Sequence, residues 1–259
     1  MKIDCVLTSC NLNKKYTDFI PLFIKAWTYL YPNIDIKIVL ICNEIPQELL
    51  KYKNNLIQFK EIDGIYSSFI SQYIRILYPA ILNYENGIII SDIDMIPMNN
   101  IYYTENIKNI SNDKFITFRN RRLEKKNLVI CYNCATNKVW SSIFNIKNIN
   151  DIILNLKNIY KDIKYEDGRL KKGWYTDQLQ LYKYVFDWNK KTNKHIILKD
   201  DDTKFNRLCR KTNFSLEKDI VNNIKNGRYT EYHAYSPYEE YKEINDNIIK
   251  LLHNKYAKC

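Results

Sequence analysis

Apolar strand-like segments alternate with helix-like segments through the first 92 residues, and this alternation restricts the fold more than any other feature. The pattern predicts strands over 3–9, 35–42, 56–62 and from Gly87 to Asp92, with helices over 17–31 and 66–82. Strands separated by helices indicate βαβ units, and right-handed crossovers place the helices on both faces of a parallel sheet. We therefore expect an α/β protein with a central, mostly parallel mixed sheet flanked by helices.

The second half of the chain continues in a mixed pattern. It predicts strands over 114–118, 127–133 and 194–199, and helices over 138–146, 150–163, 176–189, 215–227 and 236–256. Thr176 is the predicted N-cap of one helix, and Gly227 is predicted just beyond the end of another. Ser236, Pro237 and Glu239 predict a capping box at the start of the last helix.

Composition limits the class of protein. The chain has 259 residues, 46% hydrophobic, with only 5 glycines and 6 prolines, which leaves little room for linkers. No apolar segment is long enough to span a membrane, and Asp4 and Cys5 interrupt any signal-peptide core. We expect a soluble, intracellular protein whose 7 cysteines are reduced. Cys131 and Cys134 form a CxxC motif, but no second CxxC completes a zinc site.

Two carboxylates follow the fourth predicted strand. The run "GIII" leads into Asp92 and Asp94, and Pro97 then excludes a central strand. Residues i and i+2 of a strand point the same way, so both carboxylates can face one spot at the carboxyl end, where open α/β sheets bind ligands. Oxygen ligands suit Mg²⁺ or Mn²⁺. The alternative is a pair of turn residues, because Asp is common in turns.

An ordered series of motifs extends this observation. Arg75 lies on a predicted helix before "GIII" and "SDIDM", and then come "YNCA", "GWYTDQ", "FNRL" and "YHAY". The series resembles the GT-A glycosyltransferases, particularly the retaining family typified by lipopolysaccharide galactosyltransferases and glycogenin, over about residues 1 to 240. The resemblance implies one GT-A domain, with a nucleotide-binding half at 1–100 and a sugar- and acceptor-binding half, including the C-terminal helices, at 101–259.

The resemblance also implies roles for individual residues. Asp92 and Asp94 would hold Mn²⁺ or Mg²⁺ on the diphosphate of a nucleotide-sugar, with His233 as a further ligand. Arg75 would lie near the diphosphate or sugar, and Asp177 and Gln178 at the reacting sugar. The residues implied to contact the rest of the donor are Asn133 for the sugar, and Thr8, Ser9 and Cys10, in a loop after the first strand, for base and ribose.

The implied partners are a nucleotide-sugar, a UDP-sugar above others, and a glycan or protein acceptor, without nucleic acid. Two departures weaken the match: Ala135 stands where the family has Gly, and the Gly and Lys expected after His233 are missing. The alternatives are a metal-dependent nuclease or nucleotidyltransferase, favoured by the net charge of +11, and a binding module without turnover. Oligomeric state does not follow from the sequence.

Two further charged segments receive simpler interpretations. Asp200 and Asp202 form a second DxD in "KDDDTKF", without a comparable apolar strand before it, and are predicted to lie in a solvated turn. The basic run "RNRRLEKKN" at 119–127 is predicted to be a solvated loop, with contact to an anionic acceptor as the alternative.

Overall fold

A seven-stranded sheet runs through the centre of the protein in the computed structural model, which describes residues 1–212 and 215–256. A separate three-stranded sheet lies beside it. The strands, in chain order, are β1 (Ile3–Asn11), β2 (Asp35–Ile41), β3 (Leu56–Phe59), β4 (Gly87–Ile90), β5 (Met95–Pro97), β6 (Phe115–Thr117), β7 (Asn133–Thr136), β8 (His195–Ile197), β9 (Arg207–Cys209) and β10 (Glu231–His233).

The large sheet has the order β3-β2-β1-β4-β7-β6-β8. Neighbouring strands pair in parallel except that β7 is antiparallel to both β4 and β6. The predicted mostly parallel sheet is therefore confirmed. Because β7 runs opposite to its neighbours, its amino end lies at the same edge as the carboxyl ends of β4 and β6.

Helices cover both faces of this sheet. They are α1 (Lys14–Thr17), α2 (Ile20–Leu30), α3 (Ser67–Leu77), α4 (Tyr102–Glu105), α5 (Asn137–Phe144), α6 (Ile149–Asp162), α7 (Thr176–Thr192), α8 (Lys218–Lys225) and α9 (Lys242–Tyr256). One apolar core contains side chains of α2 and α9, and the other contains side chains of α3, α5, α6 and α7. Among the described residues, no helix is both long and apolar enough to cross a bilayer.

Strand β4 is buried on both faces, which explains why its sequence has no polar face. Ile89 packs into the core with α2 and α9, whereas Ile88 and Ile90 pack into the opposite core. A strand buried on both faces needs apolar side chains at every position. The first residue of this strand is Gly87, where a side chain has no room. A Cβ there would lie 2.7 Å from the Cys134 sulfur and 2.9 Å from the Lys2 carbonyl oxygen.

The three-stranded sheet was not predicted from the sequence. Its order is β5-β10-β9, with β10 antiparallel to β5 and parallel to β9. Each of these strands has only three residues, too few for a periodic hydrophobic signal. This sheet carries His233 at the end of β10, next to Met95 of β5.

Several predicted boundaries were wrong. The segment predicted as a strand over 127–133 is a loop up to Tyr132, because Leu128 and Ile130 are buried against the core without joining a ladder. The last α-helix begins at Lys242 rather than at Ser236. Helix α7 does begin at Thr176, but its N-cap is Tyr175, and the Thr176 hydroxyl donates to the Gly173 carbonyl at 2.7 Å.

Other boundaries agree with the prediction. Gly227 follows α8 in a left-handed conformation with φ of 69°. The predicted division at residue 100 stays a prediction, and strands from both halves join the large sheet.

Candidate active site at the carboxyl ends of the strands

The site lies at the edge where β4 ends and β7 begins. Ile90 pairs with Asn133, and Asn133 also pairs with Thr117 at the end of β6. The chain leaves β4 through Ser91 and Asp92, which carries the first predicted metal ligand into the space above this edge. The site is therefore where an open α/β sheet binds its ligands.

Arg75 joins two carboxylates that are far apart in the chain. It lies in the last turn of α3, and its Nη1 donates to Asp92 Oδ1 while its Nη2 donates to Asp177 Oδ2 at 2.8 Å. The side chains of Arg75 and Asp177 are 11% and 3% exposed. Burial raises the pKa of Asp177, against the opposing effect of the Arg75 charge. The structure thus brings Arg75, Asp92 and Asp177 together by direct contacts, and their roles toward a donor stay predictions.

Cys131 holds Asp92 in place from the other side. Its thiol donates to Asp92 Oδ2 at 3.0 Å, and the Asp92 backbone N–H lies 3.0 Å from the same sulfur. Burial, followed by the charge of Asp92, raises the pKa of Cys131 well above its usual value. The neutral thiol is therefore a hydrogen-bond donor to the carboxylate, and sequence reasoning did not identify it.

Asp94 faces a different set of groups. Arg210 Nη1 donates to Asp94 Oδ2 at 2.9 Å and to the Ala234 carbonyl at 2.5 Å. His233 Nε2 lies 3.4 Å from the same Asp94 oxygen. Burial alone would raise the pKa of Asp94, but His233 and Arg210 together bring it below its usual value. The pairing of β10 with β5 and β9 brings these groups together.

The predicted metal ligands are only partly assembled. Among residues 1–212 and 215–256, no group of three or more His, Cys, Asp or Glu side chains is arranged to hold a metal ion. Asp94 and His233 are adjacent, whereas Asp92 is engaged by Arg75 and Cys131. The donor types suit Mn²⁺ or Mg²⁺, but Arg210 already occupies the Asp94 oxygen that such an ion would share with His233.

Two buried polar atoms near the strand ends have no hydrogen-bond partner in the described part of the chain. They are the side-chain carbonyl oxygen of Gln178 and the hydroxyl of Thr8. A third such atom is Nε of Arg75. Unpaired buried polar atoms cost free energy, and others of this kind lie inside the cores, such as the hydroxyls of Tyr73 and Tyr103.

Asn133 is fully engaged within the protein. Its Nδ2 donates to the carbonyls of Val129 and Ile130, at 2.8 Å and 3.0 Å, and its Oδ1 accepts from the Thr117 hydroxyl at 2.9 Å. The Thr117 oxygen must then accept from His195 Nε2, 2.9 Å away, which sets the tautomer of His195. This chain of bonds secures the loop that carries Cys131, and a contact between Asn133 and the donor sugar stays a prediction.

The predicted loop at Thr8, Ser9 and Cys10 was wrong. All three residues lie inside β1, which continues to Asn11. Their side chains are buried, and the Ser9 hydroxyl donates to the Ser71 carbonyl. The strand predicted over 3–9 extends two residues further, because parallel pairing with β2 continues to Asn11. A role for these residues toward base and ribose stays a prediction.

Tyr16 was missed by sequence reasoning. It lies on α1, directly after the end of β1, and is partly buried. Burial raises its pKa, and the negative charges of Asp94, Asp92 and Asp167 add to this effect. No local pattern marks Tyr16 or Arg210, whose partners are distant in the chain.

The second DxD differs from its prediction. Asp200 is paired with Arg119, with Nε–Oδ1 at 3.1 Å and Nη2–Oδ2 at 2.8 Å. Arg119 is buried and also stacks on Phe205, with 3.6 Å between its Cζ and the ring centroid. Asp202 is exposed, as predicted for a solvated turn.

Comparisons with known proteins define the fold. No protein-family profile and no curated protein sequence matches this chain. The structure is similar to the glycosyltransferase GlyE of Streptococcus pneumoniae TIGR4, with a TM-score of 0.55 and 15% identity, over 100% of this chain and 64% of GlyE. It is also similar to the galactosyltransferase LgtC, solved with donor and acceptor sugar analogues, with a TM-score of 0.50 and 10% identity, over 96% of this chain and 95% of LgtC.

These similarities confirm the predicted fold class. The mixed sheet with helices on both faces is that of the GT-A glycosyltransferases, as the motif series implied. The chain spans about two thirds of the length of GlyE and nearly all of LgtC. At these levels of identity the comparison establishes the fold alone.

Proposed function

We propose that this protein is a glycosyltransferase that moves a sugar from a nucleotide-sugar, a UDP-sugar above others, to a glycan or protein acceptor with retention of configuration. The observation that carries the proposal is Arg75, which joins Asp92 and Asp177 beside the carboxyl end of β4. These are three of the residues that the motif series assigned to the donor. The similarity to LgtC, a galactosyltransferase solved with donor and acceptor sugar analogues, supports the same reaction class.

The chain's own groups suit the departure of a nucleoside diphosphate. Cleavage of the bond to the anomeric carbon leaves negative charge on phosphate oxygens, which fixed cations such as Arg75 and Arg210 stabilise. The Arg75 Nε–H and the side-chain carbonyl oxygen of Gln178 are buried and have no partner within the described residues. Between them they offer one donor and one acceptor to the sugar or phosphate.

A divalent ion fits this proposal by the chemistry of its donors. Asp92, Asp94 and His233 would hold Mn²⁺ or Mg²⁺, and the bound ion would add Lewis-acid stabilisation of the diphosphate. For this to happen, Asp94 must exchange the Arg210 guanidinium for the ion. The nuclease alternative is not favoured, because Asp92 is bonded to Arg75 and Cys131 rather than grouped with further carboxylates.

Donor hydrolysis tests the proposal. We expect the protein to hydrolyse at least one nucleotide-sugar of a UDP- and GDP-sugar panel in Mn²⁺ or Mg²⁺, and to lose this activity in chelator. Asp94→Ala should abolish it in a folded protein, whereas Asp202→Ala, in the second DxD and exposed, should retain it. UDP with Mn²⁺ should raise the melting temperature more than either alone. Activity unchanged in chelator would end the metal assignment, and inactivity on the whole panel would oppose the proposal.

A further inference from the structure

We propose that two basic loops beside the site bind an acceptor glycan that carries phosphate or carboxylate groups. This inference rests on the proposed function, whose acceptor the motif series leaves undefined. The first loop covers residues 119–127 and the second covers residues 164–172. Together they are called the basic rim.

The basic rim carries an excess of unpaired positive charge. Its eight exposed cations form no ion pair within the described residues: Arg121, Arg122, Lys125, Lys126, Lys164, Arg169, Lys171 and Lys172. The rim contains only three carboxylates, Glu124, Glu166 and Asp167. Exposed cations without an ion pair among the described residues also occur elsewhere, such as Lys51 and Lys53, but the rim gathers eight of them in two short loops.

Both loops are attached to the candidate site. The first is followed by Leu128, whose N–H donates to the backbone carbonyl of Gln178 at 3.2 Å, and by Cys131, whose thiol donates to Asp92. The second runs directly into the start of α7 at Thr176. The guanidinium of Arg122, in the first loop, lies 5.5 Å from the centroid of the Tyr175 ring, which follows the second loop and precedes α7.

The second loop also approaches the site from the side of β1. The Tyr165 hydroxyl donates to Ser68 at 3.1 Å, at the start of α3. The ring of Phe69, on the same helix, also packs against Tyr165, with 5.4 Å between the ring centroids. The second loop is therefore attached to α3, the helix that carries Arg75.

Aromatic rings beside these cations favour a glycan over an acidic protein as the acceptor. Tyr66 is 54% exposed and packs at 5.8 Å from Tyr165, between ring centroids. Trp174 and Tyr175 are partly exposed next to the second loop. Aromatic rings offer flat apolar surfaces on which the apolar faces of sugars stack, and exposed cations attract the anionic substituents.

Matched charge variants test the inference. One variant carries Arg121→Gln, Lys125→Gln and Lys126→Gln, and a second carries Arg169→Gln, Lys171→Gln and Lys172→Gln. The control carries Lys51→Gln, Lys53→Gln and Lys250→Gln, which are also exposed. Lys51 and Lys250 line a groove with residues of α2 and α9 that contains no rim residue. Binding of a phosphorylated oligosaccharide and of its dephosphorylated counterpart is measured by calorimetry at low and at moderate salt.

We expect the native protein to bind the phosphorylated probe at least about tenfold more tightly than the neutral one. Each rim variant should lose about tenfold in affinity for the phosphorylated probe, which is the loss expected from three weak charge pairs. The control should change by less than about twofold, and moderate salt should weaken binding to the native protein. Equal binding of the two probes, or the same loss in the control, would overturn the inference. Tighter binding of an acidic peptide or of single-stranded nucleic acid would also overturn it.

Donor hydrolysis in the same variants separates this inference from the proposed function. The rim residues touch no group assigned to the donor, so both rim variants should hydrolyse the nucleotide-sugar at the native rate. A protein that binds the phosphorylated probe through the rim but hydrolyses no donor would disprove the glycosyltransferase assignment and leave the anion-binding surface in place.

Discussion

Arg75 Nη2 lies 2.8 Å from Asp177 Oδ2, although the two residues are separated by 102 positions in the chain. Arg75 lies in the last turn of α3 and Asp177 in the first turn of α7, and both side chains are almost fully buried. The contact therefore links the two helices at the candidate site. Because Arg75 also bonds Asp92, removal of its charge leaves two carboxylates without their shared cation.

We predict strong energetic coupling between Arg75 and Asp177. Arg75→Met and Asp177→Asn should each lower the free energy of unfolding by about 3 kcal/mol, with the larger loss for Arg75→Met, because a broken buried pair leaves an uncompensated charge. The double variant should lose less than the sum of the two, with a coupling of about 1–3 kcal/mol in a double-mutant cycle from urea unfolding.

The exposed pair formed by Lys190 and Asp187, also at 2.8 Å, is the matched control for that cycle. It should show no measurable coupling, because exposed ion pairs are screened by solvent. Strict additivity of Arg75→Met and Asp177→Asn would contradict the buried contact.

A second prediction concerns Arg210 and divalent ions. Arg210 donates to the Asp94 oxygen that also faces His233, so it competes with any cation at that position. Arg210→Gln should therefore tighten Mn²⁺ binding without nucleotide by about tenfold, roughly 1.4 kcal/mol, measured by calorimetry. Lys211→Gln removes a neighbouring exposed charge and should change the affinity little. Weaker binding in Arg210→Gln would mean that Arg210 supports the ligands instead.

Stereochemistry is the subject of the third prediction. Gln178 has a neutral amide, a poor general base, whereas Asp177 is a carboxylate engaged by Arg75. Under retention, Gln178→Ala should cut turnover while donor binding survives, and NMR of the product should show the anomeric configuration of the donor. An inverted product, with normal turnover in Gln178→Ala and none in Asp177→Asn, would contradict the proposal of retention.

The fourth prediction is a loss of stability in mild acid that depends on His195. Burial lowers the pKa of His195 from 6.5 to about 4, so the folded protein holds a neutral ring. As pH falls below 6.5 the unfolded chain binds the proton first, and stability is lost until the folded ring also titrates near pH 4. The loss approaches about 1 kcal/mol per pH unit inside this window.

His195→Gln should remove this loss, because the amide can still donate to Thr117 but does not titrate. The free energy of unfolding of the native protein minus that of the variant should fall between pH 6.5 and 4. A constant difference across this range would show that His195 is not buried as a neutral ring.

The predicted and observed elements agree where the hydrophobic periodicity is strong. They disagree where apolar residues are buried in a loop rather than in a helix or strand. The run at Ile88, Ile89 and Ile90 predicted a strand covered on both faces, and its side chains fill both cores. Leu128 and Ile130 are just as apolar but lie in a loop, because their backbone is bonded by Gln178 and by the Asn133 side chain rather than by a neighbouring strand. Composition alone does not distinguish these two environments.

The sequence by itself determined the βαβ order, the buried strand β4 and the placing of Asp92 and Asp94 just beyond it, because hydrophobic periodicity and turn residues act over a few positions. Only the tertiary structure decided that Arg75 bonds Asp177, that Cys131 holds Asp92 and that Arg210 occupies Asp94. These contacts join residues 39 to 116 positions apart. They arise from the antiparallel insertion of β7 and from the pairing of β5, β10 and β9, and strand partners at such separations are chosen by packing of the whole chain rather than by local propensity.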